Sequence, residues 1–221
     1  MSRKSSRRTT QRASRSSAPV VWPGVQGGQF LPLDPGQIDA IHRAALVVLE
    51  RTGMGEIPPV VEQALAEKGL RVGSDGRMSF PPALVEDAIA QARRDVVLWG
   101  QGADTALELR GNRVYVGSGG AAPNVIDRST GAYRPSTLRD LYDAARMVDA
   151  LEHIHFFCRS LVATDLPDPR SLDINTAFAC LAGTGKHVTV QASHPDHVAA
   201  IADLAHSVAG GRDAFAERPI L

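Results

Sequence analysis

The chain is poor in cysteine, in aromatic residues and in long apolar runs. Cys158 and Cys180 are the two cysteines, with 21 residues between them and neither in a C-x-x-C pair. That spacing argues against a zinc ribbon or a disulfide scaffold and fits a reducing compartment. No apolar run approaches the roughly 18 residues of a membrane span, and the charged N-terminus lacks the apolar segment of a secretory signal. The expected location is cytoplasmic, with no membrane partner. Acidic residues are missing from positions 1–17, which carry six Arg or Lys, so the remaining 204 residues hold 18 basic and 24 acidic groups, a net of −6. Such a tail cannot bury enough apolar surface to offset the entropy of ordering and is expected to be a solvated extension. Contact with nucleic acid and a transit peptide are the rival readings. Since aromatics make up 5% of the chain and none accompanies the basic run, nucleic acid is not an expected partner.

What is present is a set of well-punctuated helices and short strands. After a Pro- and Gly-rich linker at 20–33, Asp34, Pro35 and Gln37 form a capping-box start. A helix follows with Ile38, Ile41, Ala45, Val48 and Leu49 on one apolar stripe, ending at Gly53. A second helix begins after Pro58 and Pro59, is expected to bury Val61, Ala64 and Leu65, and stops at Gly69. Leu70 to Val72 and Arg77 to Phe80 flank the Asp75-Gly76 turn as a hairpin. Pro81 and Pro82 start a third helix through Leu84, Val85, Ala88, Ile89 and Ala92. Val96 to Trp99 reads as a strand, and 107–110 with 113–116 as a hairpin around Gly111-Asn112.

The chain is organised around 114–151, where the rhythm changes. A strand at 114–116 leads into the turn of Gly117, Gly119 and Gly120. A hairpin-like segment from Val125 to Tyr133 then precedes a helix capped by Thr137, with Asp140 three positions on and Leu138, Leu141, Tyr142, Ala145 and Val148 at helical spacing. The apolar run 154–158, a helix near 172–182, a strand at 187–191 and a helix near 195–208 continue in strand–helix alternation, which implies a parallel sheet. The expected organisation is a basic tail and linker (1–30), a helical and hairpin region (31–113) and the first βα units of an incomplete (β/α)8 barrel (114–221). The fold class is α/β, a partial TIM-barrel-like fold preceded by an α+β region. The ending after only two or three such units is expected of an N-terminal portion of a longer chain.

Several motifs fail on context. Gly117 to Ala122 spells G-x-G-x-x-A, but Pro123 and Asn124 follow where a helix N-terminus should hold a pyrophosphate. Gly183-Thr184-Gly185-Lys186 resembles the end of a phosphate loop, yet Cys180 stands where its first Gly belongs and His187 follows the Lys; a helix end is the simpler reading. No G-x-S-x-G elbow exists. His153, His155 and Cys158, with His194 and His197 further on, allow a zinc site only loosely, because no third or fourth ligand is fixed by spacing. Arg159, Gln191 and Ser193 lie just past strand runs, where βα barrels build active sites.

Asp127-Arg128-Ser129-Thr130-Gly131, then Arg134, then Thr137-Leu138-Arg139-Asp140 resembles the trimethylamine methyltransferase family. Further similarity lies in Ile41-His42 with Leu49 to Gly53, in Phe80 to Val85, and in Thr184 to His187. The resemblance covers about 30–221. It implies a barrel methyltransferase that moves a methyl group from a methylated amine to the cobalt of a corrinoid (cobalamin) on a cognate partner protein. The donor would be trimethylamine or a quaternary amine such as glycine betaine. Some members of the family contain pyrrolysine, in a later strand; the reading here is the pyrrolysine-free kind. No aromatic cage for a quaternary ammonium can be nominated. Gly119, Gly120, His155, Arg159, Gln191 and Ser193 are the residues expected to face substrate or corrinoid, the glycines by backbone approach and the others as polar contacts. No catalytic residue and no metal ligand is assigned, and a homo-oligomer is compatible. The rival readings are a non-catalytic truncated barrel or interaction module and, more weakly, a metal-dependent barrel enzyme.

Overall fold

A computed structural model describes residues 24–102 and 104–221; the expectations for 1–23 fall outside them. In chain order the elements are β1 (Val25–Gln26), α1 (Pro35–Val47) continued by a π turn (Val48–Thr52), α2 (Pro59–Ala66), α3 (Pro82–Gln91), β2 (Val96–Leu98), β3 (Leu107–Leu109), β4 (Arg113–Val114), β5 (Asn124–Ile126), β6 (Tyr133–Pro135), α4 (Leu138–Asp149), β7 (Phe156–Cys158), α5 (Pro169–Gly183), β8 (His187–Thr189), α6 (Pro195–Ala209) and α7 (Arg212–Glu217). The architecture is mixed α/β with four two-stranded sheets, and no barrel closes among the described residues. Two compact units can be described separately, one of 26–96 with 109–113 and one of 97–108 with 114–221.

In the first unit the capping box of α1 is formed as the sequence predicts. The Asp34 carboxylate accepts from Gln37 N at 2.9 Å, and Gln37 Oε1 accepts from Asp34 N at 3.0 Å. The Asp75-Gly76 turn brings Val72 opposite Met78, and Met78 also bridges Met54 and is fully buried. Gly53, at φ +64°, must be glycine, since an added Cβ would lie 2.3 Å from the Met78 carbonyl. Burial departs from expectation. Ile38 and Ile41 of the α1 stripe are 56% and 58% exposed, and Val61 of α2 is 39% exposed. Periodicity marks a face able to be buried; it does not supply the neighbour.

The second unit is built on parallel backbone. Gly117 lies opposite Phe156 and Ala122 opposite Leu161, both parallel and in one register, and β7 pairs with β8 in parallel (Phe156 with His187, Cys158 with Thr189). Ile220 approaches the far side of β8, its carbonyl accepting from Val188 N at 3.3 Å. Since parallel neighbours require crossovers, α4 and α5 fall between consecutive strands. α4 packs on α5 and α5 on α6. The core between the helices and the sheet holds Leu141, Ala145 and Val148 of α4, Phe157 and Val188 of the strands, Ala179 and Cys180 of α5, and Ile220. Gly183 allows the close α4–α5 approach, as a Cβ there would stand 2.5 Å from that of Ala145. The hairpin expected over 107–116 does not form. β3 pairs with β2, and the backbone of 116–118 is committed to β7 through His155 N to Val116 O (2.7 Å) and Ser118 N to Phe156 O (3.3 Å).

Two sequence motifs prove to be joints of this unit. The Asp127 carboxylate accepts from Ser129 N and Oγ and from Thr130 N, closing the turn at Gly131 (φ +70°), and it also accepts from Arg134 Nε at 3.2 Å. Arg134 then clamps both oxygens of Asp140 at 2.7 and 2.9 Å, while Asp140 completes the capping box with Thr137. The β5–β6 hairpin is thereby fastened to the start of α4. At the other end of α4, Asp149 Oδ1 accepts from Thr184 Oγ1 (2.7 Å) and Gly185 N (2.8 Å). Lys186, fully buried, donates from Nζ to the carbonyls of Val148, Leu151 and Ile154 at 2.6–2.7 Å. The Thr-Gly-Lys run therefore caps the C-terminus of α4, where a helix has orphan carbonyls and favours a cation; the helix end it serves is not its own.

Replacing Lys186 with Met should remove three charge-assisted hydrogen bonds, leaving Val148 O and Leu151 O only their backbone donors, Leu151 N and Ile154 N, and lower unfolding free energy by about 3 kcal/mol in urea titration. An unchanged midpoint would contradict the cap.

Acid should destabilise this unit in two stages. Burial holds His155 and His187 below the ordinary histidine range, so the unfolded chain takes up protons first and stability falls as pH drops below about 6.5. Asp127, chiefly through Ser129 and then Arg134, and Asp140, chiefly through Arg134, are held well below the usual carboxylate range. Their contribution is complete above about pH 4 and is lost progressively below it. In a pH series of denaturation midpoints, Asp140→Asn should flatten the lower stage and leave the upper one in place.

Candidate functional site

Side chains alternate across a strand, so with Phe157 and Val188 in the core, Cys158 and Thr189 face the opposite side of the sheet. There a cleft of about 450 Å³ is lined by Gly120, Ala121, Cys158, Arg159, Thr189, Val190 and Gln191. It lies where the parallel ladder opens. Pairing holds at Gly117–Phe156, lapses through 119–121, and resumes at Ala122–Leu161, with Ala122 N to Ser160 O at 2.9 Å and Val162 N to Ala122 O at 3.0 Å.

Serine hydroxyls satisfy backbone groups at both ends of this opening. Ser118 Oγ accepts from Cys158 N (2.9 Å) and donates to Cys158 O (2.7 Å), so one hydroxyl does the work of the missing strand partner. The buried Ser136 closes the far end, its hydroxyl 2.7 Å from Val162 O and 3.2 Å from Ala122 O. Gly120 has φ +78°, which favours glycine. At Gly119 and Gly120 an added Cβ would meet nothing within 4 Å, so the backbone wall is open to a ligand. The glycine that packing demands is Gly117, where a Cβ would lie 2.2 Å from the Phe156 ring.

The sequence-predicted residues divide. Gly120, Arg159 and Gln191 line the cleft, and Arg159 Nη2 donates to Gln191 Oε1 at 3.3 Å across β7 and β8. Gly119 adjoins Gly120. Ser193 is exposed two residues beyond Gln191 and is held by the buried carboxylate of Asp173: its N and Oγ donate to Oδ2 at 2.7 and 2.8 Å. His197 Nδ1 reaches the same oxygen at 2.7 Å. His155 is not at the cleft. It precedes β7 at the opposite end, is buried, and its Nδ1 accepts from Val116 N at 2.9 Å, which leaves it no free role as a polar contact through that nitrogen. Nor do His153, His155 and Cys158 converge. Among the described residues no three His, Cys, Asp or Glu stand close enough to hold a metal ion.

Sequence reasoning missed Ala121, Cys158, Thr189 and Val190 as lining residues. The period-two alternation could have found Cys158 and Thr189 once Phe157 and Val188 were assigned to the core. Asp173 was missed altogether, since an Asp in the second turn of a helix carries no sign of what lies opposite it.

Comparison with known proteins bears on what this cleft belongs to. The family model "Trimethylamine methyltransferase (MTTB)" matches residues 2–221. The trimethylamine methyltransferase MttB of Desulfitobacterium hafniense is 30% identical over 197 residues, 89% of this chain and 40% of that protein. MttB1 of Methanosarcina mazei is 26% identical over 167 residues (74% and 34%), and MttB of Methanosarcina barkeri 28% over 155 (68% and 31%). The chain thus spans 40% or less of the length of these relatives. With the family model matching nearly its whole length, the chain belongs to the trimethylamine methyltransferase family.

Proposed function

We propose that the second unit forms the first βα units of a (β/α)8 barrel methyltransferase, and that the cleft at Arg159 and Gln191 holds the methyl donor. The observation that carries the reading is the position of the cleft, at the carboxyl ends of adjacent parallel strands with their helices on the other side. Barrel enzymes place their chemistry at that end. The acceptor would be the cobalt of a corrinoid on a separate partner protein, which supplies the nucleophile that takes the methyl group while the C–N electron pair stays with the departing amine. The open backbone at Gly119 and Gly120 suits the approach of a large planar group.

The task for this chain's own residues is to hold the donor so that its methyl carbon faces outward, in line with the attack. No aromatic ring lines the cleft among the described residues, so the cationic nitrogen has no cage there. What the cleft offers is a guanidinium oriented by an amide. Such a pair recognises a carboxylate, and it keeps the positive nitrogen at the other end of the molecule. Within the reaction class this favours a quaternary amine bearing a carboxylate, such as glycine betaine, over trimethylamine, which has no anionic end. A quaternary nitrogen also leaves as a neutral amine without needing a proton.

In an assay of methyl transfer to reduced corrinoid protein, Arg159→Met should raise KM for glycine betaine ten- to a hundred-fold. That is the worth of one charged hydrogen bond of about 1.5–3 kcal/mol. Unchanged kinetics, or a preference for trimethylamine in the wild type, would overturn the assignment.

A further inference from the structure

The Arg159–Gln191 pair has one partner directly after β7 and the other on the loop between β8 and α6. Gln191 is exposed and lies outside any strand, so its orientation must come from what holds that loop. The holder is Asp173 on α5. This carboxylate is 3% exposed, and one of its oxygens receives three donors: Ser193 N at 2.7 Å, Ser193 Oγ at 2.8 Å and His197 Nδ1 at 2.7 Å. Two of the donors lie two residues past Gln191; the third is on the first turn of α6, and its ring is 5.6 Å from that of His194. A buried carboxylate is costly unless it is fully hydrogen-bonded. Its presence within α5 is explained by the three donors of the loop it fastens. The N-cap of the same helix, Asp168, is a separate device that accepts from Ser171 N within its own turn.

We propose that Asp173 is the positioning residue of the cleft: by fixing Ser193 and His197 it sets the β8–α6 loop so that Gln191 meets Arg159. The proposal deepens the function read from the cleft and rests on it for its purpose, but its test needs no methyl donor. A failure of that functional reading would therefore not register in the result.

The test is NMR on the chain itself, following the Gln191 side-chain amide, the Arg159 Nε–H and the exchange rate of the Ser193 amide. In Asp173→Asn, Ser193 should exchange at least tenfold faster and the Gln191 and Arg159 signals should shift or broaden, with the signals of Leu141 and Val148 unmoved. A merely structural role would leave Gln191 and Arg159 where they are. Ser193→Ala, which keeps the backbone bond and cannot unfold the helix, should move the same two signals by less, and Asp173→Glu should restore them in part. Gln191 and Arg159 signals unmoved in Ser193→Ala and in a folded Asp173→Asn would overturn the proposal.

Discussion

The parallel ladder through 116–122, 155–162 and 187–189 is the constraint from which the rest of the second unit follows. It keeps one register on either side of a gap, and the gap at 119–121 is the wall of the cleft. A break in a buried ladder exposes backbone donors and acceptors that must be satisfied in some other way. Ser118 and Ser136 do this with their hydroxyls at the two ends of the gap, which leaves the opening free of strand pairing. The cleft is therefore a property of the sheet, and the side chains that face it are chosen by strand alternation.

Holding such a ladder together depends on the ends of α4. At its start, Asp127, Arg134 and Asp140 tie the preceding hairpin to the capping box; at its end, Asp149 and the Val148 carbonyl receive Thr184 and Lys186 of the turn that leads into β8. Each joint pairs a charge with groups that need one, a carboxylate with N–H donors or an ammonium with helix carbonyls. Apart from Val148 and Asp149, these residues fall within the runs by which the sequence resembles its family. What the family-like motifs encode is thus largely architecture, while the cleft is lined by residues outside them.

The sequence made the helices legible because their signals are local. Asp34, Thr137 and the paired prolines fix the starts, and the apolar spacing fixes the faces. Strand partners were less legible, because pairing is decided at long range. The 113–116 segment looked ready to pair across Gly111-Asn112, yet its continuation is taken by β7. Of the residues named for the candidate site, the position of Arg159 and Gln191 after strands was legible and puts them at the cleft, whereas His155, tied to Val116, lies away from it. Residues two apart on a strand share a face, but the spacing does not say which face it is. Lys186 shows a related limit. It was read as the end of its own helix, and its actual partners are 32 to 38 residues earlier in the chain.

The most direct test of the central claim is a crystal structure of the protein soaked with glycine betaine. The donor should lie between Gly120–Ala121 and Gln191, with its carboxylate on Arg159 and its trimethylammonium group turned to the open side of the cleft. A donor bound elsewhere, or one whose carboxylate turns away from Arg159, would contradict the assignment of this cleft as the methyl-donor site.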